Sequence, residues 1–443
     1  MGKRLLFILS FLPLTIGLCQ AQNVLSDKDI DALIESMTIE EKAGQMSQID
    51  LGVIAEGDIC NLKQPQTLNP QKLQEAIATY HIGSVLNVGC GSGTISLENW
   101  HKIITTLQSE NEKRSRVKIP ILYGIDAIHG ANYTMGATLF PQQIGQAATW
   151  NPPLVQKGYE ITAYETRASG IPWNFSPVLD LGRQPLWSRF FETFGEDVLL
   201  AKTLTKFAVQ GLQGKDVSNQ YKVAACMKHF LGYSMPLSGK DRTPAWISER
   251  ELREYFLPTF QTAIEQGAKT IMINSGEING TPVHINYDIL TKLLRDELGF
   301  KGVAVTDWED IYKLVNLHHV TENKKEAVRM AILAGIDMSM TPNDFDFTKL
   351  LVELVKEGSI PQSRIDASVR RILQLKRDLG LFQQTQFAAS TYPLFGSKEY
   401  AEASYEVAAE SITLLKNKNG ILPLQNKNEK ILVCGPAANS MNL

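Results

Sequence analysis

Ionisable side chains stand directly behind short apolar runs at four places in the sequence. Asp126 follows Tyr123-Gly124-Ile125, and Asp180 follows Pro177-Val178-Leu179. Lys228 and His229 follow Ala225-Cys226-Met227, while Asp307 and Trp308 follow Val303-Ala304-Val305-Thr306. A charge at the end of a buried strand is expensive unless it is paired or opens onto a site. Carboxylates, a Lys-His pair and an indole suit a sugar. Hydroxyls need charged hydrogen-bond partners, and the C–H faces of a pyranose pack on an aromatic ring. Asp307 is read as a catalytic nucleophile around which the other residues build a pocket. The competing reading makes it the cap of the following helix, with Trp308 merely packing.

These residues converge only if the runs that carry them are neighbouring parallel strands. Eight such runs occur: Met46–Leu51, Ser84–Val88, Ile119–Ile125, Trp173–Pro177, Lys222–Met227, Thr270–Asn274, Val303–Val305 and Gly335–Met340. Helix-length segments separate them. The alternation predicts a (β/α)8 barrel, in which functional groups gather at the C-terminal ends of the strands. No G-x-G-x-x-G follows the first run, which argues against a dinucleotide fold. Thr38 to Glu41 and Ser248 to Glu251 have capping-box spacing, the second opening a helix through Phe260. Ile365, Val369, Ile372, Leu375 and Leu379 keep helical spacing, with Gly380 placed as the residue that ends the helix.

The organisation predicted around this barrel has four parts. Lys3 and Arg4 precede an apolar run to Leu18, and residues 1–21 read as a signal peptide, so export is expected. The barrel spans 22–382, a polar linker 383–398, and residues 399–443 are expected to be the truncated start of a second α/β domain. That segment holds a helix over Glu399–Lys416, a turn at Asn419-Gly420 and a strand over Lys430–Cys434. With 443 residues, 21% charged, 44% hydrophobic and a net charge of −3, the chain is ordinary globular protein. That charge argues against nucleic acid as its main partner, and the leader's apolar run is too short to span a membrane comfortably. Of five cysteines, Cys19 would leave with the leader and Cys226 reads as a buried thiol. A Cys60–Cys90 bridge is left open.

Five ordered motifs then resemble glycoside hydrolase family 3, of the β-glucosidase type. They are Gly124-Ile125-Asp126-Ala127-Ile128-His129-Gly130, Phe175 to Asp180, Arg189 to Asp197, Lys228-His229-Phe230 and Gly302 to Asp307. The resemblance covers the chain from about Ser26 onward. It implies a retaining exo-glycosidase releasing β-linked glucose from oligosaccharides, with no cofactor or metal and Asp307 forming the covalent glycosyl-enzyme. Asp126 would bind hydroxyls at the non-reducing end, and Arg189, Lys228 and His229 would hold the remaining hydroxyls. Met272 and Trp308 would line the pocket. Arg242 is a further candidate from a loop, and Arg189 could alternatively be tied up with Glu192 or Glu196. Ser275 stands where many relatives have an aromatic residue. Tyr233 stands where relatives that remove N-acetylglucosamine have a proton-donating His, which disfavours that class. In glucosidase-type relatives the acid/base comes from the second domain, so it is expected to be missing from this chain; Glu277, Glu309 and Asp310 are near Asp307 by sequence, but nothing marks any of them as the acid. Xylose in place of glucose, or a non-catalytic sugar-binding fragment, are the alternatives. Oligomeric state is not readable.

Overall fold

The structure is a computed structural model that describes residues 25–91, 93–383, 389–424, 430–435 and 438–439. The predicted signal peptide lies outside the described residues, as do 384–388 of the predicted linker and several residues after 424. Eight parallel strands follow one another around a closed ring: β1 (Ser47–Asp50), β2 (Ser84–Leu86), β3 (Leu122–Ile125), β4 (Trp173–Asn174), β5 (Ala224–Phe230), β6 (Thr270–Ile273), β7 (Val303–Val305) and β8 (Ser339–Met340). β1 pairs with both β2 and β8, and β7 with β6. A parallel bridge between Val305 and Met338 closes the ring between β7 and β8, where Thr306 N donates to Met338 O at 3.1 Å. The strands are buried along their whole length, which is why they read as continuous apolar runs.

Each observed strand is shorter than its predicted run, except β7, which matches it, and β5, which continues through Phe230 and so contains Lys228 and His229. The capping boxes form as expected: Thr38 with Glu41 starts Ile39–Gln45, and Ser248 with Glu251 starts a helix that continues past Phe260 to Glu265. Gln362–Asp378 ends at Leu379, and Gly380 follows with φ 70°. A left-handed residue there satisfies the helix's last carbonyls.

The barrel interior is sealed by large side chains. Trp173 donates from Nε1 to Thr270 Oγ1, two strands away, at 2.8 Å. Its ring meets Phe175 edge-on at 4.9 Å between centroids. Gly124 has to be glycine, because a Cβ there would lie 2.4 Å from Phe175 Cζ. At the β7–β8 seam the fully buried Asp337 carboxylate accepts from Ala304 N (3.0 Å), Arg295 Nη2 (2.7 Å), Arg371 Nη1 (2.9 Å) and Ser368 Oγ (2.7 Å). Arg364 lies 3.6 Å away.

After the barrel, Tyr392 donates to Gln220 O at 2.7 Å and packs edge-on against Tyr164. Helix Lys398–Ser411 follows, shorter than predicted, and lies on Pro152–Ala168 and Gln143–Ala148. The expected turn forms at Asn419 and Gly420, both with positive φ. The expected strand over Lys430–Cys434 does not form. Those residues pair with no strand, and Ile431, Leu432 and Val433 are exposed. A strand needs a neighbour to satisfy its backbone groups, and none is present among the described residues. No helix among them is long and apolar enough to cross a membrane.

Candidate active site

The C-terminal ends of the strands surround a cavity of about 290 Å³. Its wall contains the expected nucleophile and the six expected sugar-binding residues, Asp307, Asp126, Arg189, Lys228, His229, Met272 and Trp308, together with Arg242. Asn87, Ile128, Tyr133, Glu192 and Met340 complete it. Asp307 does not cap the next helix. That helix, Asp310–Asn316, is preceded by Glu309 in a left-handed conformation with no side-chain cap bond. Instead Asp307 Oδ1 accepts from Trp308 N at 2.6 Å, leaving Oδ2 to face the cavity's cations.

Around Oδ2 stand Ser275 Oγ at 3.1 Å, Arg242 Nη2 at 3.4 Å, His229 Nε2 at 3.7 Å and Arg189 Nη1 at 3.9 Å. Burial alone would push the Asp307 carboxyl up; the positive charge led by Arg242 outweighs it and holds the group well below the usual carboxylate range. Asp307 is therefore an anion throughout the neutral range, as a nucleophile must be.

Arg189 does pair with Glu192, through Nε, but one guanidinium serves several partners. Its Nη2 also donates to His229 Nε2 at 3.1 Å, and its Nη1 to Tyr233 Oη at 3.4 Å. Because Nε2 must accept from Arg189, the imidazole proton belongs on Nδ1, which donates to Asp180 Oδ2 at 2.8 Å. Burial and the Arg189 charge hold the imidazole far below its ordinary pKa, so His229 is a neutral spacer. Asp180 is buried beneath it, outside the cavity wall, and burial pushes its pKa up to about 8.

On the other side, Lys228 Nζ donates to Asp126 Oδ1 at 2.6 Å. Asn87, which the sequence reading did not single out, grips the same residue twice. Its Nδ2 donates to Asp126 Oδ2 at 2.8 Å, and its Oδ1 accepts from Asp126 N at 3.1 Å. The available signal was its place, a polar side chain near the end of the second run, directly after Leu86 where β2 stops, as Asp126 follows β3.

Arg242 arrives on a loop anchored from beneath. Asp241 accepts from Tyr233 Oη (2.6 Å), Trp187 Nε1 (3.0 Å) and Arg242 Nη1 (2.9 Å). Tyr233 thus braces the loop that presents this guanidinium. The three carboxylates close to Asp307 in sequence or loop are all occupied elsewhere. Asp310 is buried against Lys313 Nζ at 2.8 Å and Ser275 Oγ at 2.6 Å, Glu277 accepts from His318 Nδ1 at 2.7 Å, and Glu309 accepts from Asn343 Nδ2 at 2.6 Å. None of them lines the cavity.

Comparison with known proteins shows the family. The family model described as the glycosyl hydrolase family 3 N terminal domain matches residues 38–375. A lysosomal beta glucosidase of Dictyostelium discoideum is 47% identical over 438 residues, covering 95% of this chain and 52% of the relative. A beta-xylosidase of Formosa agariphila is 33% identical over 350 residues, covering 76% and 48%. The crystal structure of a beta-glucosidase from Listeria innocua in complex with glucose superposes with a TM-score of 0.79 at 31% identity, covering 90% of this chain and 53% of that one. The chain spans about half the length of the curated relatives it matches. The family match over most of the barrel, on a fold whose strand ends meet in this cavity, makes the chain a member of glycosyl hydrolase family 3.

Proposed function

We propose that this chain carries the nucleophile and the sugar-binding cavity of an exported, retaining exo-β-glucosidase. The observation that carries the reading is the cluster of Arg242, Arg189 and Ser275 around Asp307 Oδ2, which keeps one carboxylate ionised in the wall of the cavity. A cavity of about 290 Å³ lies at the small end of ligand pockets, typically about 300–1,000 Å³. It suits one terminal sugar ring rather than the middle of a chain. Asp126, Lys228 and Asn87 supply acceptors and donors for the hydroxyls of that ring, and Met272 and Trp308 supply apolar surface for its C–H face.

Asp307 attacks the anomeric carbon as the glycosidic oxygen leaves, giving a covalent glycosyl-enzyme that water later opens. The leaving oxygen needs a proton. The other carboxylates of the cavity wall are already committed, Asp126 to Lys228 and Glu192 to Arg189. The general acid is therefore proposed to come from outside the described residues. Export rests on the basic and apolar N-terminus.

Protonation of a leaving group contributes roughly 10²–10⁴-fold, and nitrophenolate does not need it. The chain should release nitrophenolate from nitrophenyl β-glucoside while turning over cellobiose at least about 100-fold more slowly. Efficient cellobiose hydrolysis would refute the missing-acid step. The Formosa relative favours a second reading, a β-xylosidase, which a faster reaction with nitrophenyl xyloside would establish. Calorimetric glucose binding with no turnover of either glycoside would make the chain a binding module.

A further inference from the structure

The Asp126 clamp is built on a segment that the rest of the cavity does not explain. Asn87 has φ 43°, and Gly89 and Cys90 also have positive φ, so three of four consecutive residues are left-handed. Asn tolerates this conformation, but a segment with so many such residues persists only if its surroundings hold it. Two anchors hold Asn87 itself: its N donates to Gly124 O at 3.1 Å, and its O accepts from Tyr123 Oη at 2.7 Å.

The third anchor lies three residues on. Cys90 is disulfide-bonded to Cys60, in the turn of the hairpin formed by Gly57–Asp58 and Asn61–Leu62. Gly89 is pressed against that hairpin, with Ile59 O and the Leu62 side chain where a Cβ would stand. Beneath the segment, the buried Asp50 carboxylate at the end of β1 accepts from Gly52 N at 2.6 Å and is also stabilised by the backbone N–H groups of Cys90 and Gly89. A single covalent bond thus ties the hairpin to the short stretch that ends in the Asp126 clamp. Both cysteines are exposed, so a solution reductant can reach the bond.

We propose that the Cys60–Cys90 disulfide is a positioning device for sugar binding, acting through Asn87 to hold Asp126 in the geometry that receives substrate hydroxyls. This rests on the proposed role of Asp126 and goes beyond it, because the bond lies on the protein surface and neither cysteine lines the cavity. Asp307 is positioned independently, from β7 and from the loops carrying Ser275, Arg189 and Arg242. Loss of the disulfide therefore weakens sugar binding and leaves the chemistry at Asp307 in place.

The test separates binding from reaction with a dinitrophenyl 2-deoxy-2-fluoro-β-glucoside, which needs no protonation of its leaving group. Labelling is followed by intact mass, giving a Ki and a limiting rate. Three variants are compared with the native chain: Asn87→Ala, Cys60→Ser/Cys90→Ser, and all three changes together. A hydrogen bond to a charged group lost from the clamp is worth roughly tenfold or more in binding. Both partial variants are expected to raise Ki about tenfold, and the limiting rate of the Cys60→Ser/Cys90→Ser variant should stay within about twofold of native. The triple variant should be no worse than Asn87→Ala alone, because the disulfide acts through that side chain. Native chain treated with dithiothreitol, which is oxidised to its cyclic disulfide as Cys60 and Cys90 become thiols, should behave as the double serine variant. This arm does not depend on that variant folding. Unchanged Ki after loss of the disulfide, or additive effects in the triple variant, would overturn the proposal. Failure of the native chain to be labelled would instead overturn the reading of Asp307.

Discussion

Replacing Asp337 by Asn tests whether the seam that presents Asp307 is held electrostatically. The carboxylate is fully buried and meets Arg295 and Arg371 at 2.7 and 2.9 Å, with Arg364 at 3.6 Å. It also accepts from Ala304 N, in β7 and three residues before Asp307. Burial raises this carboxyl's pKa, but Arg295, Arg371 and Arg364 overcome it and hold it below its ordinary value. Removing one partner of a buried ion pair costs about 3–5 kcal/mol, because the charge left behind is uncompensated. Asn keeps the shape and one acceptor, so the loss isolates the charge. Asp337→Asn is expected to lose about 3–5 kcal/mol in urea unfolding followed by tryptophan fluorescence. Lys102→Ala, which removes an exposed i,i+4 pair with Glu98, should lose less than about 1 kcal/mol. Because the folded pKa is depressed, the native contribution is present above about pH 4 and is lost as the pH falls through the folded value. The Asn variant should lack that acid-dependent part. A loss below about 1 kcal/mol would refute the reasoning, since the carboxylate would then be no better than a surface charge.

Gly124→Ala places a methyl 2.4 Å from Phe175 Cζ in the barrel interior and should cost about 1–3 kcal/mol in the same assay. His229 should show the neutral, Nδ1-protonated tautomer by ¹⁵N NMR across pH 6–8; an imidazolium at pH 6 would contradict the Arg189 donation to Nε2. Arg242→Met removes the nearest cation from Asp307 Oδ2. An opposite charge at this range lowers a carboxyl pKa by about 1–3 units. The acid limb of labelling by the fluoroglucoside should therefore move upward, and an unmoved limb would remove Arg242 from the account.

The strands were legible because burial on both faces leaves continuous apolar runs, and β7 was read to the residue. Asp126, Lys228, His229 and Asp307 were legible because they interrupt such runs where a barrel opens. Residues that act on other residues were not. Asn87 looks like any polar strand end until its two bonds to Asp126 are seen, and Asp337 looks like a strand carboxylate until three arginines from two helices meet it. The Cys60–Cys90 pairing depended on a hairpin too short to signal itself. The Lys430–Cys434 run has the composition of a strand, and composition cannot supply the neighbour that a strand requires.

The role of Asp307 as the nucleophile is tested most directly by locating the covalent label. The chain should be incubated with the dinitrophenyl 2-deoxy-2-fluoro-β-glucoside, digested and mapped by tandem mass spectrometry. One fluoroglucosyl group is expected per chain, carried on the Asp307 side chain and lost in Asp307→Ala. A label on any other residue, or a label that survives Asp307→Ala, would contradict it.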